Sequence, residues 1–339
     1  MTKTASRAPD LLHGPVFSNM TRFFLPIMLG SLLQQLYSMV DAVVLGRLVG
    51  KTALAAVGGS DLVIINLVVG FFVGLSSGAC VVVSQHYGAG EGDMVRKSVH
   101  TAILFSVVIG AVMTALGILM ARPVLVLLDP PADTLADSII YLQWYFAGMI
   151  PSMVYNMGAG ILRAVGDSKR PLYFLIVASI VNIVLDIVLV AVIPLGVAGA
   201  AIATVFSQAV SAVWVLLFLC GKRTTLKIRP RCMAVRWKVL LPVLGLGVSP
   251  FIMQSTESLV TITLNSGMQK YGGDLYVGTI TILQSIMQML VLPLQGVTQG
   301  TQPIISYNYG ARRPDRIKKT IQMSICLLYT SDAADDRIS

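Results

Sequence analysis

Eight apolar stretches, each near 20 residues or longer, follow one another at about 23–46, 62–84, 99–121, 137–160, 171–194, 197–219, 239–264 and 277–304. A helix of that length crosses roughly 30 Å of hydrocarbon at about 1.5 Å per residue. Lipid offers no water to backbone N–H and C=O groups, so consecutive segments of this kind are confined to a bundle of spanning helices. A ninth stretch starts near Ile317 and ceases to be apolar after Leu328. Turn residues mark the breaks, as in Gly88-Ala89-Gly90, Asp129-Pro130-Pro131 and Tyr271-Gly272-Gly273. Composition agrees: 55% of residues are hydrophobic, 12% are charged, and mean hydropathy is +0.78, well beyond ordinary soluble domains.

The net charge of +9 is distributed as a topology signal. Alternate loops hold Lys3, Arg7, Arg22; Arg96, Lys97; Arg163, Lys169, Arg170; Lys222, Arg223, Lys227, Arg229, Arg231, Arg236, Lys238; and Arg312, Arg313, Arg316, Lys318, Lys319. The other loops hold only Arg47, Lys51, Arg122 and Lys270. Lys and Arg in short loops stay on the cytoplasmic side, so the N-terminus is expected inside, in the plasma (inner) membrane, with no cleavable signal peptide. No basic stripe lies outside these loops, and nucleic acid is not an expected partner.

The chain also repeats itself. Ser84-Gln85-His86-Tyr87-Gly88-Ala89, followed by Asp93 and Lys97, matches Ser306-Tyr307-Asn308-Tyr309-Gly310-Ala311, followed by Asp315 and Lys319; Gly78 matches Gly300 at the same offset, and Pro26 and Pro250 nearly so. Six spans separate the copies, an even number, so the two halves are parallel repeats about an axis along the membrane normal. The expected organisation is a first lobe over 1–219, a basic cytoplasmic linker over 220–238 and part of a second lobe over 239–328. Residues 329–339, with Asp332, Asp335 and Asp336 where an apolar helix should continue, read as a non-native tail.

Function is sought in groups that are costly to keep in lipid. Asp41, Asp186 and Glu257 lie within apolar spans, where a carboxylate at a helix centre costs about 2.5–3.5 kcal/mol. Counted along the helices, Asp41 and Asp186 sit at one depth in the outer half of the bundle. Thr204 reaches that layer from the opposite direction, and Tyr141 and Tyr145 enter it from outside. Asn182 is four residues before Asp186, and Gln34, Tyr37 and Asp41 share one helix face. This oxygen-rich set suits a hard cation such as Na⁺, or a proton held by the carboxylates. The plainer alternative is hydrogen bonding between helices. Glu257, with Gln254 and Thr261 at helical spacing, is a second coupling group or a substrate counter-ion. Pro26, Pro151, Pro250 and Pro293 interrupt spans and are candidate bending points. No catalytic set, metal-ligand spacing or Walker lysine motif is found, so an enzyme, a cofactor and direct use of ATP are not expected.

Phe24-Leu25-Pro26-Ile27-Met28-Leu29-Gly30, Tyr37 to Asp41, Gly46 with Ala53 to Gly58, the two Tyr-Gly-Ala loops, and Leu162-Arg163-Ala164-Val165-Gly166-Asp167 together resemble the multidrug and toxic compound extrusion (MATE) family, over about residues 15–328. The resemblance implies an all-α polytopic fold with two parallel six-helix lobes around a central cavity, of which this chain carries the first lobe and about three helices of the second. It implies a monomer that exports cationic or amphipathic small molecules against inward movement of Na⁺ or H⁺. By the same resemblance, the first-lobe cation site maps onto Asp41, Asn182, Asp186 and Thr204, with Glu257 a looser match. A lipid-linked oligosaccharide flippase of the same superfamily is the alternative, and it would need basic groups inside the spans.

Overall fold

The computed structural model describes residues 14–50, 53, 57, 60–127, 134–221, 224, 226–228 and 234–335, and every regular element among them is helical. The order is α1 (Val16–Leu48), α2 (Ser60–Gly88), α3 (Gly92–Leu127), α4 (Leu135–Ala147), α5 (Met149–Ala164), α6 (Lys169–Asp186), a π-helical turn (Ile187–Val192), α7 (Gly196–Cys220), α8 (Trp237–Gly310) and α9 (Pro314–Asp335). Six of these helical stretches are long and apolar enough to cross a membrane. Lys3, Arg7, Lys51, most of the Ala53–Gly58 motif, Asp129-Pro130-Pro131, Lys222, Arg223, Arg229, Arg231 and the last four residues lie outside the described residues.

Three expected spans take a different form. The stretch 137–160 is two helices, α4 and α5, broken at Gly148. Pro151 supplies the reason: it has no N–H for the carbonyl of Ala147, four residues earlier, so the α-helical ladder fails there. The stretches 239–264 and 277–304 belong to one helical run, α8. A straight helix would put Val243 and Tyr307 roughly 95 Å apart. They pack against Gly78 and Gly88 of α2, only about 15 Å apart along that helix, so α8 folds back on itself to form two legs. The ninth stretch continues as helix α9 through Asp335.

Close backbone approach joins α2 to α8. Gly70, Gly74 and Gly78 recur every four residues on one face of α2 and meet Gln254, Gly247 with Phe251, and Val243 on the first leg of α8. Lipid tails supply no hydrophobic drive between helices, so such stripes of small residues are what lets two membrane helices gain contact. The return leg repeats the arrangement on α1: Gly296 faces Phe24 and Met28, and Gly300 faces Phe23 and Phe24. Each lobe's second helix thus packs on the other lobe's first. The duplicated motifs then cross each other reciprocally, for a β-carbon on Gly88 would overlap the Tyr307 carbonyl and one on Gly310 would overlap the Gln85 carbonyl. Tyr87 and Tyr307 stack edge-on beside them at 5.6 Å.

This crossing lies at the basic end of the bundle. There Arg316 donates to the Gly14 carbonyl at 2.7 Å, Thr101 Oγ1 donates to the Ala234 carbonyl at 3.1 Å, and Ser168 Oγ donates to the Arg22 carbonyl at 3.0 Å. The last of these answers a need created by sequence. Pro26 cannot donate to Arg22, four residues before it, and the Ser168 hydroxyl takes the vacated acceptor. The main core fills the first lobe, where Phe72, Leu75, Met149, Met153, Met157, Ile161 and Val215 interlock. A smaller cluster of Val16, Met20, Phe23 and Ile304 joins α1 to α8.

Alanine at Gly78 or Gly310 is expected to destabilise the protein by about 1–3 kcal/mol, because the new methyl meets backbone that cannot turn aside. Gly92→Ala, with nothing within 4 Å of its β-carbon position, should stay within about 0.5 kcal/mol of wild type. Thermal unfolding in detergent measures both, and equal shifts at the three positions would refute the close-contact account.

Candidate cation site

Asp41 lies in the C-terminal half of α1 and Asp186 is the last residue of α6. Their carboxyls face each other at a range where one proton between them would make a hydrogen bond. Asp186 is fully buried and Asp41 half-buried. Beside them Asn182 Nδ2 donates to Thr204 Oγ1 of α7 at 3.4 Å, and both residues are buried. Leu45, Val190 and Ala200, each four residues from Asp41, Asp186 and Thr204, pack together and cap the polar layer with apolar contact.

A π-turn follows Asp186 directly, and its cause is local. Pro194 has no N–H to offer the Val190 carbonyl, and neighbouring bonds lengthen instead: Ile193 N–H reaches Val188 and Leu195 N–H reaches Leu189. Such wider turns inside α-helices are frequent at functional sites.

Tyrosines wall the carboxylate pair. The Tyr37 hydroxyl lies within hydrogen-bond reach of Gln34 and within electrostatic reach of Asp41, Tyr145 and Tyr155. Tyr141 stacks on Tyr145 with ring centroids 6.2 Å apart. Tyr155 was not legible from spacing. It sits on α5 beyond the break at Gly148, so its face cannot be counted from Tyr145, and its hydroxyl donates to the Pro171 carbonyl at 3.2 Å. Glu257 stands apart from this group: it is exposed and accepts from Gln254, whose Nε2 lies 3.3 Å from Glu257 Oε2.

The donor set is suited to a positive ion. Asp41 Oδ1, both carboxyl oxygens of Asp186 and Asn182 Oδ1 are buried acceptors that no donor among the described residues reaches. Four buried oxygens, two of them on one carboxylate, suit a hard monovalent cation or a proton. Buried acceptors left unmatched cost free energy that either guest would recover.

A polytopic helical membrane protein with two related lobes, holding a carboxylate pair inside the first, is the class these features define. The chain matches the MatE family profile over residues 26–188 and again over 250–334, and it belongs to that family. The two matched stretches begin at the paired prolines Pro26 and Pro250, which is independent support for the duplication. Among relatives, the chain is 29% identical over 323 residues to "Probable multidrug resistance protein YoeA" of Bacillus subtilis (strain 168), covering 93% of this chain and 69% of that protein. It is 23% identical over 318 residues to "Multidrug export protein MepA" of Staphylococcus aureus (strain NCTC 8325 / PS 47), covering 93% and 70%. Its fold superposes with a TM-score of 0.91 on a structure described as an outward-facing multidrug resistance MATE family transporter of the MOP superfamily, at 24% identity, over 98% of this chain and 73% of the other.

Thr204→Val removes the acceptor of the Asn182 bond and is expected to cost about 0.6 kcal/mol, the average for interhelical hydrogen bonds in membranes, and at most about 1.7 kcal/mol. Ser207→Ala, which loses only a bond to the Thr204 carbonyl in its own helix, should cost less than half as much. Thermal unfolding in one detergent compares the two, and the reverse order would remove Thr204 from the polar layer.

Proposed function

We propose that the protein is a multidrug efflux transporter that exchanges a cationic or amphipathic small molecule for inward-moving Na⁺ or H⁺, with the N-terminus in the cytoplasm. The observation that carries this reading is the Asp41–Asp186 pair, two carboxyls facing each other inside the apolar bundle. Family membership and the names of the relatives supply the class of substrate. Residues 1–219 act as the first lobe, 220–238 as the linker, and the residues beyond as the part of the second lobe present here.

Two facing carboxylates repel when both are charged, at an energy that grows as water is withdrawn. A cation or proton between them removes the repulsion and lets α1 lie against α6. Without it the two helices are driven apart at this level. The guest thereby favours one arrangement of α1, and the drug, held in the cavity between lobes, favours the other. Inward passage of one positive charge down 100 mV supplies about 2.3 kcal/mol, and a tenfold concentration gradient adds about 1.4 kcal/mol. Coupling needs no covalent step.

Asn182 and Thr204 position and supplement the pair, while Tyr37, Tyr141, Tyr145 and Gln34 form its wall toward the cavity. The lipid-linked oligosaccharide reading is not favoured, since it calls for basic groups within the spans and the basic residues gather at the loops.

Asp41→Asn and Asp186→Asn are each expected to leave membrane insertion intact and reduce gradient-driven dye efflux from reconstituted vesicles to the level seen without a gradient. Imposed Na⁺ and pH gradients, applied separately, identify the coupling ion. A companion measurement needs no transport: Na⁺ at fixed pH, or protons at fixed Na⁺, should raise the unfolding temperature of wild type and not of the two variants. Wild-type efflux or wild-type cation response in either variant would sink the site.

A further inference from the structure

At the basic end of the bundle a cavity of about 200 Å³ is lined by Arg96, Lys97 and His100 from the start of α3 and by Ala234 and Arg236 from the strand of chain that enters α8. The retention of basic residues on one side of a membrane accounts for how many cations lie at this end. It does not account for three of them converging with an imidazole on one small cavity. Like charges brought together repel, and among the described residues that line the cavity none is acidic. Asp93, exposed and outside the lining, pairs with Arg96 at 3.0 Å.

The cavity is also built, not an accident of mobile side chains. Thr101 Oγ1 donates to the Ala234 carbonyl at 3.1 Å and holds the entering chain against α3. His100 is buried, and its Nδ1 lies 2.6 Å from the Arg96 carbonyl. A carbonyl only accepts, so Nδ1 carries the proton in that contact and the ring is fixed in orientation. Val235 and Trp237 flank Arg236 and are exposed, Trp237 by 66%. A tryptophan beside basic residues at the end of a spanning helix is the usual arrangement at the level of lipid headgroups.

We infer that Arg96, Lys97, His100 and Arg236 form a binding site for a phosphate group, and that the anion it takes is the headgroup of an acidic phospholipid whose acyl chains run past Val235 and Trp237. Guanidinium and ammonium donors converging from α3 and from the segment that enters α8 match the geometry and charge of a phosphodiester. Basic pockets between spanning helices are known to hold acidic headgroups in this way. The site lies between α3 of the first lobe and the start of α8, so an occupied site ties the linker to the first lobe.

The test uses the full chain purified in a neutral detergent, with phosphatidylglycerol, phosphatidylcholine or inorganic phosphate added, and reads unfolding temperature together with lipid retained in native mass spectrometry. Phosphatidylglycerol is expected to stabilise and to be retained, and phosphatidylcholine to do neither. The triple change R96Q/K97Q/R236Q should weaken phosphatidylglycerol retention about tenfold or more. The control R313Q/K318Q/K319Q removes the same charge from exposed positions elsewhere at this end and should change it less than about twofold. Stabilisation by inorganic phosphate equal to that by phosphatidylglycerol would keep the phosphate site and assign it to a soluble anion. Equal retention of the two lipids by wild type, which needs no variant to fold, overturns the proposal. So does equal loss in the pocket and control variants.

Discussion

Contact between backbones is what holds this bundle together. A membrane helix gains nothing from hiding leucine from lipid, so association rests on how closely two helices can approach. In α2 the approach comes from Gly70, Gly74 and Gly78, whose missing side chains admit Gln254, Gly247 and Val243 of α8. The return leg of α8 does the same to α1 through Gly296 and Gly300. These contacts place the second helix of each lobe on the first helix of the other, and the lobes are therefore intertwined near the basic end. The crossing of Gly88 with Tyr307 and of Gly310 with Gln85 closes that end. Gln302, whose Nε2 donates to Ser77 Oγ at 2.6 Å, adds a side-chain bond between the same two helices.

The polar layer at the opposite end obeys a different constraint. Carboxylates are tolerated inside a bilayer only where the bundle gives them a partner. Asp41 and Asp186 find each other, and Asn182 and Thr204 surround them with further oxygens. An apolar layer of Leu45, Val190 and Ala200 lies immediately beyond. Repulsion is stronger in such a dry setting than near water, which makes the pair sensitive to a single positive guest.

How much of this was readable from sequence depended on whether the helices ran unbroken between the residues being counted. Asp41, Asp186 and Thr204 lie on helices whose ends are marked by charge and turn residues, so a constant rise per residue was enough to bring them to one level. Tyr155 escaped because Gly148 and Pro151 divide its helix from that of Tyr145. The glycine stripe was present as a four-residue spacing, yet a spacing names no partner, and the partner leg begins 165 residues after Gly78 at Val243. Glu257 shared the rarity of the other acids without their company. Its exposure and its bond to Gln254 show that an acid within an apolar span need not join the nearest acidic cluster.

One helix touches both ends of this arrangement. The N-terminal half of α1 carries Phe23, Phe24 and Met28 against α8, and its C-terminal half carries Asp41 against Asp186. Within the first of these stretches, between Phe24 and Met28, Pro26 interrupts the ladder, and Ser168 holds the Arg22 carbonyl that the proline leaves without an N–H. A helix weakened at that point can change direction by exchanging one side-chain hydrogen bond, whereas an unbroken helix would have to give up several backbone bonds at once. Repulsion between Asp41 and Asp186 would act on the same helix that packs against α8. The carboxylate pair and the lobe interface need no chain of intermediate residues to join them, because they lie on the two halves of that helix.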